Sequence, residues 1–466
     1  MTLTSCDNDD IILGGADTGV LESPEGNVVY VTDDAGKSDD IIFDIDGSGT
    51  INLFARTSRA IQGDCAVTFN YDASLLDAYN ADHKTNYTAV PQNLVSFGNG
   101  GTATFSAGAL TSSAMPLTVS SNGQLDPEKV YALPVSYSVA GGTIVGGDSS
   151  MMILVRDASH FPGADKLYEG NPGMKVMAVV EVNDHNPLNV MGFTIDQDGK
   201  QLFDYVVLFS ANINYNASTG RVYVSRNDNV QAILDNADKY IRPLQERGIK
   251  VILGILGNHD ASGISTLTPA TSKVFAQEVK QVCDAYGLDG VFLDDEYSDY
   301  SGAGSGMSRL FQAASYEAAS RMAYDIKHAM PDRLVIGYKY NGLAEGVEID
   351  GESTGEFFDY VVNDYWDTTD PTATFPGLRQ NQAGTGSWNC SDWSQCIPSS
   401  SNWTRRFSLE GMREEGYGIM MVYNLIIRPD YWMTPYIVKD LGKTAKAFYN
   451  AELRYDGSYY PKDYNN

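Results

Sequence analysis

The sequence predicts two domains of different class, an N-terminal β-sandwich over residues 25–157 and a C-terminal (β/α)8 TIM barrel over 170–455. Three observations carry this. Apolar residues alternate with polar ones through the first third of the chain, which is strand spacing. After residue 170 short, almost wholly apolar runs alternate with stretches that repeat apolar residues at i, i+3 and i+4. The length of 466 residues also exceeds what one ordinary core serves. Residues 1–24 read as a tether, 158–169 as a linker and 456–466 as a tail.

In the first domain, strands are expected near 27–33, 50–57, 65–70, 103–107, 115–120, 130–138 and 150–156, with no long helix. Ile51, Leu53 and Ala55 share one face, and Val67 and Phe69 share another, while Gly, Asp, Asn and Ser separate the runs. His83 is expected to be a solvated surface histidine. SHFPGADK (159–166) is the expected connection.

In the second domain the expected strands are Val176–Val182, Tyr205–Phe209, Val251–Leu256, Gly290–Leu293, Leu334–Tyr340, Tyr360–Asn363, a weak one within 380–389, and Tyr417–Tyr423. Helices are expected over 229–248, 272–287 and 308–330, the first two stopping at a glycine. Eight such units in about 280 residues match a barrel, and a barrel places chemistry at the C-terminal ends of its strands.

Composition narrows the ligand class. Lys+Arg 32 against Asp+Glu 60 gives a net charge of −28, which repels nucleic acid and anionic membrane surfaces. A neutral, polar substrate fits better, and 29 Tyr supply contact surface. Five cysteines are too few for a disulfide framework: Cys65 and Cys283 sit in apolar runs as buried thiols, and Cys390 and Cys396 are close enough to bridge. No apolar stretch reaches membrane-spanning length. No zinc, phosphate-loop or nucleophile-elbow motif occurs, so no metal and no cofactor is expected. The Gly-rich SGAGSGMS (301–308) lacks dinucleotide spacing and reads as a rim loop.

The fourth barrel strand carries the strongest chemical signal. In LDGVFLDDEY (288–297), Phe292, Asp294 and Glu296 share one face and Val291, Leu293 and Asp295 the other. Two carboxylates in a confined site cannot both ionise cheaply, so one keeps a proton near neutral pH and can protonate a leaving group. A solvated acidic loop would give the same letters. Asp289, at the strand's start and of opposite parity to Asp294, is expected to be structural.

LDGVFLDDE resembles the D-G-x-D-x-D-x-E signature of family-18 glycoside hydrolases, and LDGVFLDDEYSDY is similar to their bacterial endo-β-N-acetylglucosaminidase branch. VVLFSANINY (206–215), LGNHDASG (256–263), NDYW (363–366) and GYGIMMVYNL (416–425) resemble the same branch, so the likeness covers most of 170–450. It implies retaining, substrate-assisted hydrolysis of the β-1,4 bond between the two core GlcNAc residues of N-glycans, with high-mannose glycans favoured. It also implies that Glu296 is the acid and base, that Asp294 orients the 2-acetamido group, and that Tyr365 bonds its carbonyl. Asn212, Asn214, Asn258, His259, Tyr297, Asp364, Trp366, Tyr423 and Asn424 are the expected sugar contacts, and Trp388 and Trp393 are further stacking candidates. Phe292 departs from the signature, which has Asp there; it makes the floor more apolar and tends to raise nearby carboxyl pKa values. A chitinase and a non-catalytic glycan-binding protein are the alternatives.

The N-terminal domain resembles an all-β domain found before such modules in surface lipoproteins. Leu3-Thr4-Ser5-Cys6, followed by Asp7, Asp9 and Asp10, has the form of a lipobox and export tag, with the rest of a signal peptide expected upstream. Cys6 is therefore the expected lipidation site. It implies an outer-membrane lipoprotein on the surface of a Gram-negative bacterium, monomeric, with an N-glycan or glycoprotein as partner.

Overall fold

The computed structural model describes residues 27–34, 36–38, 41–83, 85–126, 129–141, 144–147, 149–157, 159, 164–300, 309–364, 369–391 and 408–465. It divides into two compact units, Met1–His160 and Phe161–Asn466. Cys6, Tyr365, Trp366, Trp393, Cys396 and the 301–308 loop lie outside the described residues.

In the first unit, strands stand where alternation places them, at Asn27–Thr32, Ser48–Thr57, Cys65–Tyr71, Thr102–Phe105, Met115–Ser120, Tyr131–Gly141 and Ser150–Asp157. They belong to two sheets, of five and six strands. Leu53, Val67, Phe69, Leu117, Leu133 and Ile153 share one apolar core. Elements outside the expected set include the strands Ile41–Ile45, Val95–Phe97 and Ile144–Gly147 and the helix Leu75–His83. The strand Ile41–Ile45 is short and set among acidic residues, and it is fixed by parallel pairing to Ser150–Asp157. The helix Leu75–His83 buries no residue, so it has no apolar stripe to read. His83 stacks on Tyr79, with ring centroids 4.0 Å apart.

The second unit is a closed parallel barrel. Its strands, numbered within the barrel, are β1 (Lys175–Glu181), β2 (Tyr205–Asn216), β3 (Lys250–Leu256), β4 (Gly290–Asp294), β5 (Leu334–Lys339), β6 (Tyr360–Asn363), β7 (Ala383–Gly384) and β8 (Ile419–Tyr423). β1 pairs with β2 on one side and with β8 on the other, which closes the ring. Side chains alternate between two cores. Met177, Val179, Val207, Ile252, Phe292 and Met421 fill the interior. Ala178, Val180, Val206, Val251, Val291 and Leu293 face the surrounding layer. Burial on both faces is why these strands are continuously apolar.

β7 is reduced to two small residues. A Cβ on Gly384 would lie 2.7 Å from the Ile419 carbonyl oxygen and 2.9 Å from Val362, so the neighbouring strands leave no room for a side chain. The helix Pro269–Tyr286 begins at Thr268, whose hydroxyl accepts from the Thr271 N–H, and ends at Gly287 with φ 62°. The single helix expected over 229–248 is three short ones, Asp228–Asp235, Ala237–Tyr240 and Arg242–Gln245. That expected over 308–330 starts only at Tyr316. Ser315 caps it, and Leu310 and Gln312 bond instead to the backbone of Thr268 and Thr266. No α-helix joins β6 to β7 among the described residues.

The linker expected over 158–169 ends early, because Lys166 is buried in the barrel with Nζ 2.8 Å from Asp204 Oδ2. The tail is also docked: Tyr464 donates to the Val182 carbonyl at 2.8 Å, and Tyr240 to Asp463 at 2.7 Å.

Candidate active site

β4 ends in the acidic run, and its pairing with β3 and β5 fixes which way each side chain points. Asp294 and Glu296 open into a cavity of about 280 Å3 at the C-terminal end of the barrel, which Phe292, Phe209, Tyr338 and Tyr423 also line. Phe292 forms the floor, its ring 6.3 Å from Phe209 and 5.9 Å from Tyr338. Asp295 points away, where it accepts from Ser265 Oγ at 2.9 Å, from the Gly342 N–H at 2.8 Å and from Tyr300. Those bonds anchor the strand end from behind. The chain after β3 presses on it from the side: a Cβ on Gly257 would lie 2.3 Å from the Glu296 carbonyl oxygen.

Charge is crowded here. Asp294 is 4% exposed. Burial pushes its carboxyl well above the usual range, and Glu296, Asp295, Asp364 and Glu181 push the same way. Burial likewise raises Glu296, followed by Asp364 and Asp295. Both shifts run in the direction that favours the protonated carboxyl, as a general acid requires. Asp294 Oδ1 is buried and has no hydrogen-bond partner among the described residues. An orphaned buried acceptor is costly unless a ligand satisfies it, so the cavity is built for a donor such as an amide N–H.

The other expected residues divide into those that line the cavity and those that do not. Asn212, Tyr297 and Tyr423 line it. Asn212 Nδ2 reaches the carbonyls of Leu256 and Gly257 at 3.3 and 3.2 Å, and Tyr297 is 62% exposed at the mouth. Asp364 accepts from Tyr338 OH at 2.9 Å and biases both carboxyls. Asn214 and Asn258 bond each other at 3.1 Å, and Asn214 also donates to Asp260 at 3.0 Å, which ties β2 to the loop after β3. His259 meets Tyr297 edge to face at 5.9 Å, and its own φ is 59°. Asn424, with φ 51°, carries a buried Oδ1 without a partner among the described residues. Trp388 is 1% exposed and fills core, which corrects its candidacy as a stacking platform. Asp289 sits at the opposite end of β4, buried, accepting from Gln245 Nε2 and from the Val251 N–H, both at 2.8 Å.

Sequence reasoning missed Glu181, Asn183, Ser210 and Asn227, all of which line the cavity. Glu181 was legible by parity, since Met177, Val179 and Glu181 alternate into the barrel. Tyr423 OH donates to its Oε1 at 2.6 Å, and burial raises its pKa. The peptide between Phe209 and Ser210 is cis. Among the described residues no cluster of His, Cys, Asp and Glu could hold a metal ion. Cys65 and Cys283 are buried, and burial pushes the Cys283 thiol up to about 12.

Comparison with known proteins adds the following. A profile of an N-terminal domain matches residues 24–143. The chain is 42% identical over 292 residues to endo-β-N-acetylglucosaminidase F1 of Elizabethkingia meningoseptica, across 62% of this chain and 83% of that protein. It is 34% identical over 266 residues to an endo-β-N-acetylglucosaminidase of Flavobacterium sp. (strain SK1022), across 57% and 78%. Among solved structures it is similar to Bacteroides thetaiotamicron EndoBT-3987 with Man5GlcNAc product, at 30% identity and a TM-score of 0.56, covering 93% of this chain and 98% of that one. The complex of that enzyme with Man9GlcNAc2Asn substrate matches with the same coverage and TM-score at 28% identity.

Proposed function

The chain belongs to the family-18 endo-β-N-acetylglucosaminidases, glycoside hydrolases acting on N-glycans, and from that premise we propose how its own residues cut the bond between the two core GlcNAc residues. The observation that carries the reading is Asp294, whose unpartnered, buried Oδ1 faces a cavity that it shares with Glu296. Asp294 accepts the N–H of the substrate's 2-acetamido group and turns its carbonyl oxygen toward the anomeric carbon. Glu296 protonates the leaving glycosidic oxygen. The acetamido oxygen bonds to the anomeric carbon as the old bond breaks, giving an oxazolinium whose positive charge Asp294 stabilises. Glu296, now ionised, takes a proton from water as that water attacks, and configuration is retained. Tyr365 holds the acetamido carbonyl in the family's manner. High-mannose glycans are the proposed substrates, supported by the ligands held by EndoBT-3987.

The test is mass spectrometry of a high-mannose glycoprotein incubated with the purified chain. Loss of the glycan with one GlcNAc left on Asn is expected. An unchanged glycoprotein, together with cleavage of chitin oligomers, would replace the reading with a chitinase. Anchorage to the cell surface through a lipid on Cys6 is proposed from the Leu3-Thr4-Ser5-Cys6 string. Incorporation of labelled palmitate that Cys6→Ala abolishes would support it, and equal labelling of both would remove it.

A further inference from the structure

A second cavity, of about 530 Å3, lies behind the acidic strand end, among the loops that follow β3, β4 and β5. Ser265, Asp295, Tyr297, Tyr300, Tyr316 and Gly342 line it. Its polar groups largely bond one another. Asp295 accepts from Ser265 Oγ at 2.9 Å, from the Gly342 N–H at 2.8 Å and from Tyr300. Asn341 Nδ2 donates to the Asp295 carbonyl at 2.8 Å. Ser315 Oγ accepts from the Ala318 N–H at 3.1 Å, which caps the helix Tyr316–Ala329. What the walls still offer a ligand is chiefly the ring carbon of three tyrosines and the methyl group of Ala314. A group rich in hydroxyls would give up water there for few partners, whereas an apolar side chain gains by burial.

Tyr297 lines this cavity and the catalytic one alike. It follows Glu296 directly, with φ 58°, and its carbonyl accepts from the His259 N–H at 2.7 Å, which fixes the turn between the two spaces. The catalytic cavity, at about 280 Å3, falls below the roughly 300–1,000 Å3 of sites that enclose a drug-sized ligand, so most of a glycoprotein substrate lies outside it. Glu296 gives its proton to the oxygen that leaves. The departing half of the substrate therefore lies against Glu296 and next meets Tyr297. Large apolar side chains stand exposed along that way: Tyr297 itself, Tyr316 at 40% and, beside Asn341, Tyr340 at 36%. Exposed aromatic groups gathered at one rim mark a contact surface.

Resting on the reading above, we propose that this second cavity binds the polypeptide that carries the glycan, by taking an apolar side chain close in sequence to the glycosylated Asn. The half that departs is one GlcNAc on that Asn, so the chain on either side of the Asn is what the leaving side presents. The catalytic cavity selects the glycan through hydrogen bonds, and the cavity behind it selects among glycosylated sites through apolar burial. Tyr316 is a specificity-determining residue in this scheme, and Tyr297 is the wall that both halves of the substrate touch.

The test uses the full chain on synthetic glycopeptides that bear one high-mannose glycan, with Leu, Phe or Gly placed before or after the glycosylated Asn, and on the free glycan with both core GlcNAc residues. The wild type is expected to cleave the best apolar-flanked peptide with a kcat/KM about 10-fold above its glycine-flanked counterpart, chiefly through KM, as for burial of one large apolar side chain. Tyr316→Ala should shrink that ratio toward one, while Tyr316→Phe keeps it. Ala314→Glu, which sets a charge at the edge of the cavity, should shrink it too. A wild type without flank preference, or a preference that survives in either folded variant, overturns the proposal. So does a loss that is as large on the free glycan as on the peptides, which would make the cavity a sugar site. A wild type inactive on every high-mannose substrate overturns instead the reading on which the cavity's role rests.

Discussion

At the N-terminal ends of β2, β4 and β6, Asp204, Asp289 and Asp359 each accept the backbone N–H of the strand before, from Val176, Val251 and Val335, at 2.8 Å in every case. Each also takes a second side-chain donor, Lys166, Gln245 and Lys327 respectively. At the C-terminal end of the same β4, Asp294 keeps Oδ1 without a partner among the described residues and has carboxylates around it. The acids at the N-terminal ends are matched, with Asp204 Oδ1 also 3.2 Å from Lys175 Nζ, and at the other end of β4 the outward Asp295 is matched while the inward Asp294 is not. Matched acids hold strands in register, whereas mismatched ones store unsatisfied bonding capacity that a substrate can use. Position along a strand together with the face a side chain takes, more than residue type, separates stability from chemistry.

The largest expected effect comes from Glu296→Gln, which removes the proton donor while keeping shape. It should lower kcat/KM about 10^3- to 10^4-fold with no loss in unfolding midpoint, measured by glycopeptide turnover and calorimetry. Asp204→Ala should do the reverse. It leaves the Lys166 ammonium buried, and losing one partner of a buried pair costs about 3–5 kcal/mol in denaturant titration, with turnover of the folded protein retained. Loss of turnover without loss of stability would break the comparison.

Asp294→Asn is expected to lower kcat about 10^2- to 10^3-fold, as for loss of one charge-stabilising contact. Its effect on stability sharpens the contrast. Because the folded-state pKa of Asp294 is raised, its contribution is full below the unfolded value of about 3.9 and is lost as pH rises through the folded value. Asn has no proton to lose. The variant should therefore gain stability relative to wild type as pH climbs, and thermal melts across the acid-to-neutral range read this directly.

The smallest effect is on the pH profile. Burial and Asp364 raise Glu296, so the alkaline limb of kcat/KM should lie above the ordinary glutamate value of about 4.3. Asp364→Asn removes one of the charges that raise it and should move that limb down by less than about one pH unit. An unmoved limb would show that burial and Asp295 set the acid without Asp364.

Much of this was legible along the chain. Alternation marked the sandwich strands around Leu53 and Val67, and apolar runs marked most of the barrel. Parity within LDGVFLDDEY put Phe292, Asp294 and Glu296 on the inner face and Asp295 behind. The FDYVV repeated at 203–207 and 358–362 takes on meaning only with the structure, which shows Asp204 and Asp359 each clasping the strand before. Less legible was the start of the helix at Tyr316, because Leu310 and Phe311 mimic its stripe until Ser315 supplies a cap.

What the sequence by itself determined is the face on which each side chain lies, since periods of two and 3.6 are properties of the local backbone. Tertiary structure alone decided which faces meet. Closure of the ring brought Tyr423 to Glu181, 242 positions away, and turned Asn214 and Asn258 toward each other. It also laid Tyr464 against Val182. Such contacts depend on how eight strands stagger and close together, a condition that no local run of residues encodes.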